Sequence, residues 1–342
     1  MNIFKNSTLT RTSKLIAAVL ICLGANAASA SDVGSQAMQY TEVDLYDASR
    51  ERPVKVSIWY PAGENCDAAI CLNSSAKTSN NIVLSHGSMG SSRSLNWLGY
   101  AFASQGFVTV GLNHYGESWV YGQEHVDPKS AFELQDRPKD VSFVLDQLSS
   151  NQTTNKAFFN RTLNWDNTTI VGHSAGGATA LLLAGAQMDI QQAFHYCKTD
   201  AAKTDKSCAY LDMMKGKAAG NKLSEKQTDK RITKLVLLDP AAGHVMTEES
   251  LKNITQASLI IASQKNDFLN FRQHAERYNK LLPHSALLTL NSGEGHFVYL
   301  DSCDHTHKAM GVSICKDREG VDRKAVQEGL YGRIFGFLYS GH

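Results

Sequence analysis

Short apolar runs alternate with stretches of helical spacing along most of this chain, and this alternation limits its fold more than any other feature. A hydrophobic alternation over residues 41–60, interrupted by a polar break, first predicts an antiparallel hairpin. The later apolar runs and amphipathic stretches predict parallel strands joined by helices. We therefore expect an α/β fold with a mostly parallel central sheet and helices on both faces. The predicted strands are 82–84, 107–112, 168–171, 235–238, 259–262 and 286–290, and the predicted helices include 95–104, 138–148, 176–186 and 271–282.

The N-terminal residues carry the pattern of a secretory signal peptide. Three cations precede an apolar run over residues 15–24, and Ala28-Ser29-Ala30 follows it. A basic segment, an apolar segment and a small-residue cleavage site are the shared features of export signals. The run is shorter than the roughly 20 apolar residues of a spanning helix, and no later segment reaches that length. We expect residues 1–30 to be removed, residues 31–342 to form one domain, and the protein to be secreted or periplasmic without an integral membrane segment.

The charge balance gives no sign of a nucleic-acid partner. The chain has 34 Lys and Arg against 33 Asp and Glu, a formal net charge of +1. Loss of Lys5, Arg11 and Lys14 with the leader leaves the mature chain slightly acidic. A polyanion such as a nucleic acid is bound by a strongly basic surface, and this composition does not provide one. The expected partner is a small molecule instead.

The cysteines predict disulfides. Of the seven cysteines, Cys22 leaves with the leader, and the other six form three pairs that are close in sequence and lie in polar segments. An even number of cysteines in an exported chain indicates disulfide bonds. A metal site is the alternative, but the chain has no Cys-x-x-Cys. The simplest pairing is Cys66–Cys71, Cys197–Cys208 and Cys303–Cys315.

Residues 187–231 interrupt the alternation of strands and helices. This segment is polar, rich in lysine and contains the Cys197/Cys208 pair. An insertion at this point can fold over the carboxyl edge of the sheet, where open α/β folds bind their ligands. We expect a small, disulfide-pinned, cap-like insertion; a solvated surface excursion is the alternative.

The strongest local signal is a strand followed by Gly-x-Ser-x-Gly and a helix of small residues. The segment 168–171 leads into Gly172-His173-Ser174-Ala175-Gly176, and small residues continue beyond it. In the nucleophile elbow of the α/β-hydrolase fold, a serine lies on a tight turn between a strand and a helix, and glycines let the two elements approach closely. Ser174 is therefore the candidate nucleophile. The alternative is a glycine-rich turn that merely contains a serine.

A second loop is expected to complete the site. The predicted strand at 82–84 ends in Ser85-His86-Gly87-Ser88. In this fold, such a loop gives one backbone N–H to the oxyanion, and the residue after the nucleophile gives the other. The expected donors are Ser88 and Ala175; a plain β-turn is the alternative for the loop.

The candidate general base is His296, in the glycine-flanked segment that follows the last predicted strand. A histidine on such a loop can reach over the elbow. His173 lies inside the elbow, His86 belongs to the oxyanion loop and His284 precedes the strand, so these are weaker candidates. Asp304-His305-Thr306-His307 has a metal-like pattern, but a solvated loop beside Cys303 is the favoured interpretation.

Two aspartates are candidates for the acid that orients the histidine. Asp239 directly follows one predicted strand, and Asp267 follows the next strand after four further residues. Both positions end at the same edge of a parallel sheet. Asp239 is favoured because its carboxylate starts at that edge, and Asp267 is the alternative. For either residue, a helix cap or a turn is the structural alternative.

With these residues in view, the chain resembles the plasma-type platelet-activating factor acetylhydrolases and their bacterial relatives, often labelled predicted dienelactone hydrolases. The resemblance covers most of the mature chain. It implies hydrolysis of short-acyl or lipid-like esters by a Ser-His-Asp triad, with no metal or organic cofactor. Dienelactone hydrolases proper use cysteine where this chain has Ser174. The matching segments are Ser85-His86-Gly87, Asn113-His114 with Gly116, Arg137-Pro138-Lys139-Asp140-Val141, Gly172 to Gly177, the Cys197/Cys208 insertion, Leu238-Asp239-Pro240-Ala241, and Gly295-His296-Phe297 followed by Cys303 and Cys315.

The sequence therefore predicts a serine carboxylic-ester hydrolase that works through an acyl-enzyme. A cutinase, lipase, polyester hydrolase or amidase on the same triad is the alternative among enzymes, decided by the shape of the pocket. A catalytically inactive ligand-binding relative is the alternative from another class, since the fold alone does not guarantee activity.

Overall fold

A computed structural model describes residues 37–127, 130, 134–150, 158–212 and 223–340. The predicted signal peptide, residues 1–30, lies outside this range, as do residues 213–222 of the predicted insertion. Export of the chain therefore stays a prediction.

An eight-stranded sheet organises the described residues, in the order β1-β2-β4-β3-β5-β6-β7-β8. β1 and β2 form the predicted N-terminal hairpin, and β2 also runs antiparallel to β4. All later neighbours pair in parallel, so the predicted mostly parallel sheet is confirmed. The strands are β1 Met38–Asp47, β2 Arg52–Pro61, β3 Asn81–Ser85, β4 Thr109–Asn113, β5 Thr168–His173, β6 Ile232–Leu238, β7 Ala257–Ser263 and β8 Ser285–Leu290.

Helices connect these strands, and a two-stranded hairpin, β9 with β10, lies before the last helix. No helix of the described residues is long and apolar enough to cross a membrane. The helices are α1 Asn96–Ser104, α2 Asp136–Ser150, α3 Ala175–Leu183, α4 Ile190–Tyr196, α5 Cys208–Asp212, α6 Glu248–Lys252, α7 Ala275–Leu281 and α8 Arg323–Tyr339; β9 is Lys308–Ala309 and β10 is Val312–Ser313.

The central strands are buried on both faces. Successive residues of a strand point to opposite sides of a sheet. In β6, Leu237 packs with α2 and α3 in one apolar cluster, whereas Leu238 packs with α1 and α8 in another. The same alternation holds for Ile170 and Val171 of β5. Helices therefore cover both faces of the sheet, as the continuous apolar runs predicted, and the loops at its carboxyl edge are left to form a site.

All three predicted disulfides are present. The Cα–Cα distances are 5.8 Å for Cys66–Cys71, 5.6 Å for Cys197–Cys208 and 5.0 Å for Cys303–Cys315. Each bond closes a segment outside the eight-stranded sheet, and the last one closes the segment that carries β9 and β10. The bonds thus pin connecting segments rather than the strands of the central sheet.

Candidate active site

Ser174 lies on the tight turn between β5 and α3. Its backbone has φ of 55° and ψ of −116°, a strained conformation for a residue with a side chain. A Cβ on Gly172 would lie 2.1 Å from the carbonyl oxygen of Gly176, and one on Gly176 would lie 1.9 Å from that of Ser85. These glycines are therefore required for strand, turn and helix to approach one another. The local geometry is that of the predicted elbow.

The predicted oxyanion loop passes directly beside this turn. It follows β3, and a Cβ built on Gly87 would lie 3.2 Å from the Ser174 Cβ. Ser88 and Ala175 line the same cavity as Ser174. Ala175 is the first residue of α3, where backbone N–H groups have no partner within the helix. The two candidate donors thus line the same cavity as the serine.

His296 also lines this cavity, and its side chain is 1% exposed. The ring of Phe268 stacks on the imidazole with 5.1 Å between centroids. The elbow residue His173 contacts the backbone of His296, because its Nε2 lies 2.9 Å from the His296 carbonyl oxygen. Packing and backbone contacts together fix the position of this imidazole.

Asp239 lies behind the imidazole at the end of β6. Its Oδ2 is 3.5 Å from His296 Nδ1, and its Oδ1 accepts the N–H of Ser263 at 2.9 Å. Its own backbone has a φ of 41°, which is uncommon for a residue other than glycine. Of the two candidate acids, Asp239 is the one with a carboxylate oxygen near the histidine ring.

Asp267 contacts the backbone of the histidine instead. Its Oδ1 accepts the N–H of His296 at 2.9 Å, and its Oδ2 lies 3.1 Å from Arg318 Nη2. A Cβ on Gly295 would lie 2.7 Å from the same carboxylate, so the glycine makes room for this contact. Arg318 also donates to the carbonyl oxygens of Lys265 and Gly293. Asp267 and Arg318 therefore support the loop that carries His296.

Asn266 is a site residue that the sequence did not single out. Its Nδ2 lies 3.3 Å from His296 Nδ1, while its Oδ1 accepts the N–H groups of Phe268 and Leu269 at 2.8 Å each. Those two acceptor contacts fix the orientation of the amide, and its Nδ2 also donates to the Asp239 carboxylate. Asn-Asp after a strand is a turn signal, and it was the only hint that the sequence offered.

Burial controls the protonation of these groups. Burial lowers the pKa of the His296 imidazole from 6.5 to about 3. Burial raises the pKa of the Asp239 carboxyl from 3.8 to about 7, against the opposing N–H of Ser263. Both shifts have the same cause, because charge is costly where water is excluded. The histidine is therefore neutral at physiological pH and able to accept a proton.

The cavity above Ser174 has a volume of about 1660 Å³. Apolar side chains from several loops line it, and Trp119, 49% exposed, lies at its rim. The segment closed by Cys303 and Cys315 supplies one wall, which the sequence had suggested only as a solvated loop. Further apolar lining residues are Met89, Met188, Ile190, Phe268, Phe297 and Ile314.

The described part of the predicted insertion forms another wall. Met188, Ile190 and Tyr210 line the cavity. The Lys206 N–H donates to the Phe268 carbonyl oxygen at 2.7 Å, which ties the insertion to the segment after β7. The insertion therefore lies at the carboxyl edge of the sheet. That residues 187–231 act as a cap over the pocket stays a prediction.

A buried cluster of Asp205, His244 and His274 has ligand-type atoms within 4.8 Å of one another. The hydrogen bonds of His274 argue against a metal there. Its Nδ1 accepts the N–H of Gly243 at 3.0 Å, so its Nε2 carries the proton and donates to Asp205 at 2.8 Å. A metal on Nε2 would require the ring to lose its last proton. The cluster instead links the insertion, through Asp205, to the core.

One protein-family model matches part of the chain. A family model described as PET hydrolase-like matches residues 68–209, a segment that contains the oxyanion loop and the elbow. It ends before Asp239 and His296. No curated protein sequence matches the chain.

Solved structures extend the likeness over the whole fold. A ferulic acid esterase from Streptomyces cinnamoneus has a TM-score of 0.57 and 17% sequence identity, and the alignment covers 90% of this chain and 91% of that one. At this identity the likeness concerns the fold alone. The narrower resemblance to platelet-activating factor acetylhydrolases stays a prediction. Together with the sheet order and the elbow, the comparisons show that this chain has an α/β-hydrolase fold and that its residues 68–209 are similar to PET hydrolase-like proteins.

Proposed function

We propose that this protein is a serine carboxylic-ester hydrolase. Ser174 is the nucleophile, His296 the general base and Asp239 the acid that orients the base. The observation that carries the proposal is one arrangement: a strained serine and a buried neutral histidine line the same cavity, and a carboxylate oxygen lies 3.5 Å behind the histidine ring.

In the proposed reaction, His296 takes the hydroxyl proton of Ser174 as the serine oxygen attacks the ester carbonyl carbon. The N–H groups of Ser88 and Ala175 stabilise the oxyanion of the tetrahedral intermediate. The histidine then gives its proton to the leaving alcohol. Water attacks the acyl-enzyme with the same base and releases the carboxylic acid.

The surroundings of the two aspartates support the choice of acid. The Asp239 carboxylate faces the imidazole, whereas the Asp267 carboxylate accepts a backbone N–H and pairs with Arg318. A carboxylate facing Nδ1 selects the imidazole tautomer whose Nε2 is free to accept the serine proton. Asp267 has no such contact with the ring and is proposed to support its loop.

The cavity favours an ester with an apolar acyl or alkoxy part. Its lining is largely apolar. Such a site binds apolar ligands favourably, because binding removes their apolar surface from water. Short-acyl and lipid-like esters fit this description. Polyester-type substrates are the second candidate, favoured by the match to the PET hydrolase-like model over residues 68–209.

The three disulfides support a location outside the cytosol. Such bonds persist in oxidising compartments and are rare where thiols are kept reduced. We propose that the mature chain is secreted or periplasmic, which agrees with the export signal predicted at residues 1–30.

A panel of p-nitrophenyl esters from acetate to palmitate, with a soluble terephthalate diester added, tests the proposed function. We expect turnover of at least the short-acyl esters, with no requirement for a metal ion. Cleavage of the terephthalate diester at a comparable kcat/KM would favour the polyester candidate. Failure of the purified, folded protein to hydrolyse any member of the panel would contradict the proposal.

A further inference from the structure

His86 lies in the oxyanion loop, and the proposed reaction gives its side chain no role. The residue follows β3 directly and is fully buried. Its Nδ1 lies 2.6 Å from the carbonyl oxygen of Gly87, the next residue. A neutral imidazole carries one proton, on either Nδ1 or Nε2, and only a protonated Nδ1 can donate to this oxygen.

The surroundings of His86 determine its tautomer. Its Nε2 accepts the backbone N–H of His114 at 3.1 Å, so this nitrogen presents a lone pair. The single proton of a neutral imidazole must then be on Nδ1, which donates to the Gly87 oxygen. Burial, together with the charge of Arg137, lowers the pKa of His86 well below its usual value, so the ring stays neutral.

The Gly87 oxygen belongs to the same peptide unit as the Ser88 N–H. A trans peptide is planar, and its C=O and N–H point in opposite directions. The His86 Nδ1–H and the Gly90 N–H, at 3.1 Å, both hold that oxygen. Fixing the carbonyl on this side therefore fixes the Ser88 N–H on the other.

Buried charged groups hold His86 in turn. Arg137 Nη1 donates to the His86 carbonyl oxygen at 2.7 Å, and the same guanidinium pairs with both carboxylate oxygens of Glu117, each at 2.7 Å. The His114 ring lies 3.0 Å from Asp140. Arg137 and Asp140 belong to one segment that the family resemblance singled out, and His114 to another. Both segments thus meet under the oxyanion loop.

We propose that His86 is a positioning residue for the oxyanion hole: its Nδ1–H holds the Gly87–Ser88 peptide in the orientation that points the Ser88 N–H at the developing oxyanion. This inference rests on the proposed ester hydrolysis. If that peptide turned over, a carbonyl oxygen would replace a donor beside a negative charge. Loss of one oxyanion donor costs about 10²–10³-fold in kcat.

The experiment compares an ester with its thionoester, in which sulfur replaces the carbonyl oxygen. Sulfur is a poorer hydrogen-bond acceptor, so the ratio of the two kcat/KM values measures how strongly the oxyanion donors act. The variants are His86→Leu, which removes the donor, and His86→Asn, whose amide nitrogen can replace Nδ1. His274→Leu is the matched control, because His274 is also buried and also bonds to backbone, but at Gly243.

We expect His86→Leu to lower kcat for the ester by about 10²-fold with little change in KM, and to reduce the ester-to-thionoester ratio. The ratio should recover partly in His86→Asn and stay at the wild-type value in His274→Leu. A wild-type ratio in a folded, slowed His86→Leu protein would overturn the inference but leave the proposed function intact. An inactive wild-type protein would instead contradict the proposed function.

The wild-type protein offers a second measurement if His86→Leu does not fold. Nitrogen-15 NMR of the histidine side chains distinguishes the two neutral tautomers, and His86→Asn assigns the signal. We expect a neutral His86 protonated on Nδ1 from pH 5 to pH 9. A proton on Nε2, or an imidazolium within that range, would overturn the inference.

Discussion

Ser174→Ala is expected to lower ester turnover by about 10⁶-fold, to the residual rate that binding and the oxyanion donors alone sustain. The hydroxyl oxygen is the atom that forms the acyl bond, and no neighbouring group can replace it. The fold should survive, because the change removes one oxygen from a side chain at the cavity wall. Kinetics with p-nitrophenyl acetate and the thermal midpoint together check both statements.

Ser250→Ala is a suitable control for this substitution. Ser250 is 7% exposed, close to the 8% of Ser174, but its hydroxyl hydrogen-bonds Thr247 and the Gln187 N–H, not the residues around the elbow. We expect Ser250→Ala to lower stability modestly and to keep turnover. Undiminished turnover by a folded Ser174→Ala protein would show that another residue is the nucleophile.

Asp239→Asn is expected to lower kcat by about 10⁴-fold, because an amide at this position favours the wrong imidazole tautomer. Asp267→Asn should cost far less. The amide oxygen of asparagine can still accept the His296 N–H. The substitution also removes the ion pair with Arg318, but Arg318 is 40% exposed, so this pair contributes little. Purified, folded variants assayed with one short-chain ester would measure this ranking. The reverse order would move the acid to Asp267.

The pH profile gives an independent readout of the same pair. The active form has a charged Asp239 and a neutral His296, so kcat/KM of the wild-type enzyme should fall as the pH drops and the pair takes up its first proton. Burial places that step near the raised pKa of Asp239, about 7. In Asp239→Asn only the imidazole remains, and burial holds the pKa of His296 below its usual value. We therefore expect the acid limb of the variant to shift to lower pH; an unchanged limb would contradict the assignment.

The elements that depend on local pattern were predictable from the sequence. The strand–turn–helix at Ser174 and the histidine loop after β8 follow from residue order alone. Some element ends differ for clear reasons. The helix predicted over 176–186 ends at Leu183, because Gly185 adopts a φ of 104° that does not continue a helix. The helix predicted over 271–282 begins only at Ala275, because the Asn270 side chain first forms a turn with the N–H groups of Arg272 and Gln273.

Features that depend on contacts through space were not predictable in this way. Asp239 and Asp267 both follow strands that end at one edge, so residue order could not fix which carboxylate faces the ring. The contact of His86 with the N–H of His114 joins residues from two different strand ends. The wall near Cys303 depends on how its disulfide folds the segment back over the cavity. In each case the deciding quantity is a distance between residues far apart in sequence.

The most direct test of the central claim is the mass of the protein after treatment with a fluorophosphonate, which reacts with a serine activated by a neighbouring base. We predict one adduct per chain, located by peptide mapping on Ser174 and absent from Ser174→Ala. The adduct should form slowly in Asp239→Asn, because the base is then poorly oriented. A folded wild-type protein that stays unlabelled, or that carries the adduct on a different residue, would contradict the assignment of Ser174 as the nucleophile.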